Sequence, residues 1–100
     1  MKKSLVALLF SAGLMSFVQA DALEDRYNRT CAVCHASGAA GAPRTGDVDA
    51  WNKRLEEKGM DTLVANAKNG IKAMPPKGMC FDCSDEDFKA LIELMAKPKS

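Results

Sequence analysis

The sequence predicts a small all-α domain of four to five short helices. Three observations predict it. Apolar residues recur at helical spacing in four separate segments, no segment alternates apolar and polar residues as a half-buried strand does, and the stretches between concentrate glycine and proline.

From Ala22 to Cys34, the residues Leu23, Tyr27, Thr30/Cys31 and Cys34 fall on one helical face, with Glu24, Asp25 and Arg26 on the other side. Ala36 to Asp47 is small, Gly-rich and carries Pro43, so it reads as loop. Val48, Trp51 and Leu55 define a helix over Val48–Lys58, which Lys58-Gly59 stops. Asp61 is placed to N-cap a short helix with Leu63, Val64 and Ala67, which Asn69-Gly70 ends. Ile71 to Cys83 holds Pro75-Pro76 and Gly78 and cannot be regular helix. Ser84 caps the last helix, with Asp87 three residues on as a short version of a capping box. Phe88, Leu91, Ile92 and Met95 form its apolar stripe, and Tyr27 is expected to pack against it near Leu91.

The N-terminus reads as a secretory signal over residues 1–20. Lys2 and Lys3 supply the positive start, Leu5 to Val18 the apolar stretch, and Val18-Gln19-Ala20 the cleavage site. The apolar run is shorter than the roughly 20 residues that span a bilayer. The mature chain is expected to begin at Asp21, making 21–100 a single domain of about 80 residues, not membrane-anchored. A chain that short has a thin core and needs a staple, a metal or a cofactor. Without Lys2 and Lys3, the 14 basic residues become 12 against 13 acidic ones, a balance that argues against nucleic acid as a partner.

Cys31-Ala32-Val33-Cys34-His35 is C-x-x-C-H, the attachment signature of c-type haem. Two thiols one turn apart can add to the two vinyl groups of one porphyrin, and His35 can then reach the iron. His35 is the only histidine, so a second histidine ligand from this chain is excluded. A methionine thioether is the natural sixth ligand. Met95 belongs to the last helix's stripe, and Met60 sits beside Gly59 as a cap contact. Met74 lies in Ala73-Met74-Pro75-Pro76, where proline forces an extended backbone able to cross a porphyrin face. Met79 is the runner-up. The Pro43 carbonyl is chosen as acceptor for the other His35 ring nitrogen. Trp51 and Arg44 are candidates for a haem propionate, against plain core packing for Trp51 and solvent for Arg44.

Four cysteines in an exported chain imply an oxidising compartment. If haem takes Cys31 and Cys34, the pair Cys80 and Cys83 has only itself. It reads first as a structural disulfide. A redox dithiol lacks the surrounding βαβ pattern, and zinc shared with the first pair meets 45 intervening residues instead of the usual roughly 15–20.

The N-terminal helix ending in Cys31-Ala32-Val33-Cys34-His35, the segment Ala73-Met74-Pro75-Pro76-Lys77-Gly78 and the closing helix together resemble class I c-type cytochromes. The further pair in Cys80-Phe81-Asp82-Cys83 is similar to that of the cytochrome c₅ group. The resemblance implies a small class I cytochrome c fold wrapped round one covalently attached haem, with first and last helices crossing. It implies His35 and Met74 as axial ligands, Cys80–Cys83 as a disulfide, and a soluble periplasmic electron carrier rather than an enzyme. Expected partners are redox proteins: a quinol-oxidising donor, and a terminal oxidase, peroxidase or other reductase as acceptor. Ala36, Ala39, Ala40 and Ala42 are expected to surround the exposed haem edge, with Lys68, Lys72 and Lys77 steering an acidic partner. An open-iron haem enzyme and a dithiol or zinc domain are the rival classes.

Overall fold

The computed structural model describes residues 22–98. The expected secretory signal over residues 1–20, and Asp21 as the first mature residue, lie outside them. Helix α1 runs over residues 22–29 and α2 over Ala32–His35. They replace the single helix expected from Ala22 to Cys34. The reason is Thr30, a buried residue whose hydroxyl donates to the Arg26 carbonyl at 2.7 Å. Such back-bonding to the preceding turn bends helices. Around it the backbone bonds tighten to three-residue spacing, from the Thr30 N–H to Tyr27 O and from the Val33 N–H to Thr30 O, both at 3.2 Å.

The loop that follows contains a 3₁₀ turn at Ala39–Gly41. Gly38 has φ +79, in the left-handed region that favours glycine. Asp47 caps α3, Val48–Lys58, by accepting from the Ala50 N–H at 3.2 Å. Gly59 ends α3 and opens α4, Met60–Asn69. Asp61 therefore does not cap α4 as expected. It sits inside the first turn, where its charge favours the positive end of the helix.

Gly70 stops α4, and residues 71–83 make no regular helix. Ile71 and Met74 form one isolated antiparallel bridge, with mutual backbone bonds of 3.0 and 2.9 Å. A 3₁₀ turn follows at Pro76–Met79. Among the described residues there is no strand. Helix α5, Asp85–Ala96, begins with the expected capping box: the Asp87 N–H donates to Ser84 Oγ at 3.2 Å, and the Ser84 N–H to Asp87 Oδ2 at 2.9 Å.

Phe88, Leu91, Ile92 and Met95 of α5 pack on Leu63, Val64 and Ala67 of α4 and on Trp51 of α3. Leu23 and Tyr27 of α1 cover this core from outside. Tyr27 also shares a 2.5 Å hydrogen bond with Thr45, which ties α1 to the loop after α2. The first and last helices are joined by Arg26, whose Nη1 donates to Asp87 Oδ2 at 2.8 Å.

Asp87 therefore serves the cap and the α1–α5 contact together. The Ser84 N–H holds its carboxyl below the ordinary carboxylate value, with the Arg26 guanidinium adding to the effect. A carboxyl whose pKa is depressed on folding stabilises the protein above its unfolded value of about 3.9, and the contribution disappears as pH falls through the folded value. Asp87→Ala is expected to cost on the order of 1 kcal/mol at neutral pH. The gap between variant and parent in denaturant melts of the haem-loaded protein should close as pH falls from about 5 toward 2. A gap unchanged by acid would show that the ionised carboxylate is not what stabilises.

Candidate functional site

Helix α2 places Cys31, Cys34 and His35 on one wall of a cleft between α2, α3 and the segment 71–79. Cys31 and Cys34 form no disulfide. Burial pushes the Cys31 thiol up in pKa, against a weaker opposing hydrogen bond from Thr30. His35 is 8% exposed, and its Nδ1 lies 2.8 Å from the Pro43 carbonyl oxygen. A carbonyl can only accept, so Nδ1 carries a proton, and the neutral ring then offers its lone pair at Nε2. The His35 carbonyl in turn accepts from the Thr45 N–H at 2.8 Å, so ring and backbone are both tied to one loop.

The cleft has two lobes. The inner lobe, about 370 Å³, is walled by Trp51, Leu63, Phe88, Leu91, Ile92 and Met95, the same residues that form the core. The outer lobe, about 230 Å³, is walled by Val33, Cys34, Ala39, Ala40, Ala42 and Met79. Cys31, His35, Pro43, Ile71, Met74 and Gly78 border both. The volumes are in the range of cofactor sites, roughly 300–1,000 Å³.

Met74 is positioned by its backbone bridge to Ile71 and by extended Pro75 after it. Its methyl carbon lies where Gly78 leaves room: a Cβ on Gly78 would stand 2.9 Å from Met74 Cε. The other methionines sit differently. Met95 is core at 3% exposure, Met60 packs against the core edge, and Met79 is 50% exposed and borders only the outer lobe.

The structure decides between readings that the sequence left open. The Trp51 indole N–H donates to the Arg44 carbonyl at 2.9 Å, and the ring stands 5.5 Å from that of His35, so Trp51 is a packing residue and not a free donor. The Arg44 side chain borders neither lobe. Lys68 is paired with Asp85 at 3.0 Å, away from the cleft, and Ala36 does not border it. Lys72 and Lys77 do border it. Sequence reasoning overlooked Arg54, which borders both lobes; its signal was the three-residue spacing from Trp51, which puts the two on one face of α3.

Cys80 and Cys83 are buried, with Cα atoms 5.5 Å apart, a separation that a disulfide spans. Among the described residues the one cluster of metal-type ligands is Cys80, Asp82 and Cys83, and it excludes Cys31 and Cys34, so the four-cysteine zinc reading fails.

Residues 18–95 match the family described as cytochrome C oxidase, cbb3-type, subunit III. The chain is 43% identical over 74 residues to a cytochrome c5 of Ectopseudomonas mendocina, across 73% of this chain and 85% of that one. The chain belongs to the cytochromes c, in the cytochrome c5 group. A cytochrome c5 of Azotobacter vinelandii is 45% identical over 74 residues, 73% of this chain and 89% of that one. Among solved structures, a mono-heme ferrocytochrome c from Shewanella putrefaciens superposes with a TM-score of 0.67 at 52% identity, over 77% of this chain and 94% of that one. The cytochrome c in an electron transfer complex with nitrite reductase gives a TM-score of 0.64 at 40% identity, over 73% of this chain and 88% of that one. As a member of this family the protein is an electron-transfer protein carrying covalent haem c, and not an enzyme. The walls suit that group: they are apolar where α4 and α5 line them, carry two thiols, and hold an imidazole whose Nε2 has no hydrogen-bond partner among the described residues. Among the described residues no helix is long and apolar enough to cross a membrane.

Gly78→Ala tests the clearance over Met74. The added methyl group meets Met74 Cε, and the φ of +51 at this position strains any L side chain. The variant is expected to keep its haem but lose about 1–3 kcal/mol of stability and weaken the visible signature of thioether ligation. A spectrum and melting curve like the parent's would show that Gly78 gives Met74 no needed room.

Proposed function

We propose that this cytochrome is a soluble periplasmic monohaem carrier that shuttles single electrons between respiratory complexes, its iron ligated by His35 and Met74. Cys31 and Cys34 supply the two thioether links. The observation that carries the reading is that His35 and Met74 border the same two lobes of one cleft, with His35 Nδ1 bonded to Pro43 and the Met74 methyl group lodged over Gly78.

The haem supplies one-electron chemistry at the iron. The protein supplies the rest. Pro43 holds the Nδ1 proton of His35, which keeps the ring in one tautomer and one orientation. Met74 offers a soft donor, which raises the potential by favouring the reduced state. The apolar walls from α4 and α5 keep water out and hold the polar surroundings fixed as charge changes. Cys80 and Cys83, as a disulfide, fasten the segment after Met74 to the start of α5. Export through a cleaved signal over residues 1–20 places the protein where c-type haem and disulfides are made. The electron donor is a quinol-oxidising complex and the acceptor a terminal oxidase, peroxidase or other reductase. The similar cytochrome c in complex with nitrite reductase supports an acceptor of the last kind.

A visible spectrum with redox titration of the exported protein tests the whole reading. The expected result is a red protein with covalent haem and, when oxidised, the far-red charge-transfer band that its resemblance to Met-ligated cytochromes implies. Met74→Ala should abolish that band and lower the potential by on the order of 0.1–0.3 V, within the roughly 0.8 V that axial ligation commands. Met79→Ala should change neither. If the Met79 variant alone loses the band, the ligand assignment is wrong. Replacing Cys80 and Cys83 by Ser should preserve haem attachment and lower stability by about 2 kcal/mol, the value for so short a loop. Loss of covalent haem in that double variant would contradict the division of roles between the two cysteine pairs.

A further inference from the structure

Three Arg or Lys residues are half-buried among the described residues: Arg26, Arg54 and Lys77. Arg26 is answered by Asp87 at 2.8 Å and Asp82 at 3.9 Å. Arg54 and Lys77 pair with no carboxylate among the described residues. Both border the inner lobe of the cleft, Arg54 from α3 and Lys77 from the turn after Met74. Arg54 Nη1 donates to the Ala50 carbonyl on its own helix at 3.0 Å, which leaves most of its five-donor fork free. A cation drawn partly out of water without a counter-charge is costly, and such side chains are normally paired.

Haem carries two carboxylates, its propionates, on the edge of the macrocycle opposite the vinyl groups. Cys34 borders only the outer lobe, and Lys77 only the inner one. Attachment at the thiols would leave the carboxylate edge on the side away from Cys34, toward the inner lobe, which Lys77 borders alone and Arg54 borders together with the outer one. We propose that Arg54 and Lys77 receive the two propionates of the haem. Trp51 cannot serve, because its N–H is bound to the Arg44 carbonyl. The other charged groups bordering the inner lobe are Lys53, Glu57, Lys58 and Lys72, all exposed, and His35, whose Nδ1 is bound to Pro43. The exposed four set a general field. Arg54 and Lys77 give directed, partly desolvated bonds, with Arg54 able to bind two oxygens at once.

The test is the midpoint potential of the haem-loaded protein as a function of pH. A propionate held by a cation stays ionised to lower pH, and a cation beside the haem favours the reduced iron. Arg54→Gln should lower the midpoint and move the redox-linked protonation step to higher pH. Lys77→Gln should act in the same direction with a smaller shift. Arg54→Lys, which keeps charge and helix, should restore most of the midpoint, and Lys89→Gln on the exposed side of α5 should leave the profile unchanged. Infrared redox-difference spectra with carboxyl-labelled haem should show propionate bands displaced in both Gln variants. Profiles and bands like the parent's in both would overturn the proposal. So would Lys53→Gln or Lys58→Gln shifting the profile as much as Arg54→Gln, since that is the mark of a general field. The far-red band reports on His35 and Met74 separately. Its loss in the parent would sink the ligand assignment while the propionate bands still decide this one.

Discussion

The 2.8 Å hydrogen bond between His35 Nδ1 and the Pro43 carbonyl is the contact on which the arrangement of the cleft turns. It does more than choose a tautomer. The loop that offers the carbonyl is held at three further points: Thr45 bonds both the His35 carbonyl and the Tyr27 hydroxyl, and the Gly46 N–H donates to the Met95 carbonyl at 2.8 Å. The last bond satisfies one of the orphan carbonyls at the end of α5. One loop thus connects α1, α2 and α5, and the imidazole inherits the rigidity of all three. Prolyl φ is fixed by its ring, which makes Pro43 a steady acceptor.

The opposite wall is held by different means. Segment 71–79 carries three non-glycine residues at positive φ, namely Lys72, Lys77 and Met79. Each costs roughly 1–2 kcal/mol relative to ordinary backbone. Such conformations persist only where surrounding contacts over-determine them. Here those contacts are the Ile71–Met74 bridge and the close approach of Gly70 to Pro76, where a Cβ would stand 2.9 Å from the Pro76 nitrogen. The buried Cys80 and Cys83 add a third. The methionine wall is a strained strap fastened at both ends, whereas the histidine wall is a relaxed helix end tied to a loop.

What could be read from the chain follows from how local each feature is. The Ser84–Asp87 box and the stripe Phe88, Leu91, Ile92 and Met95 depend on neighbours within two turns, and both appear as expected. The break at Thr30 was hidden because the apolar pattern does not show that its hydroxyl bonds back to the Arg26 carbonyl. Gly59 displaced Asp61 as the start of α4 because the chain has only one residue between α3 and α4, and glycine at φ +83 can serve both ends. At the cleft, Cys31, Cys34, His35, Pro43 and Met74 were all named from motif and spacing, and all border it. Trp51 stayed between two readings because its acceptor, the Arg44 carbonyl, comes from a loop whose path no periodicity reports. Arg54 was overlooked, and Lys77 was named only for steering a partner, for the matching reason: charge is visible in a sequence, but whether a charge has a partner is not.

The Arg26–Asp87 bond joins residues 61 positions apart, and Gly46 meets the last turn of α5 across a similar stretch. Closure of the domain must therefore wait for its final helix. Contacts of such sequence separation form late, after the loop-closure entropy has been met. A polypeptide emerging in order of synthesis presents Cys31 and Cys34 first and completes the enclosure around them last. In that interval the wall around both sulfhydryls is incomplete, so their exposure precedes compaction by topology alone.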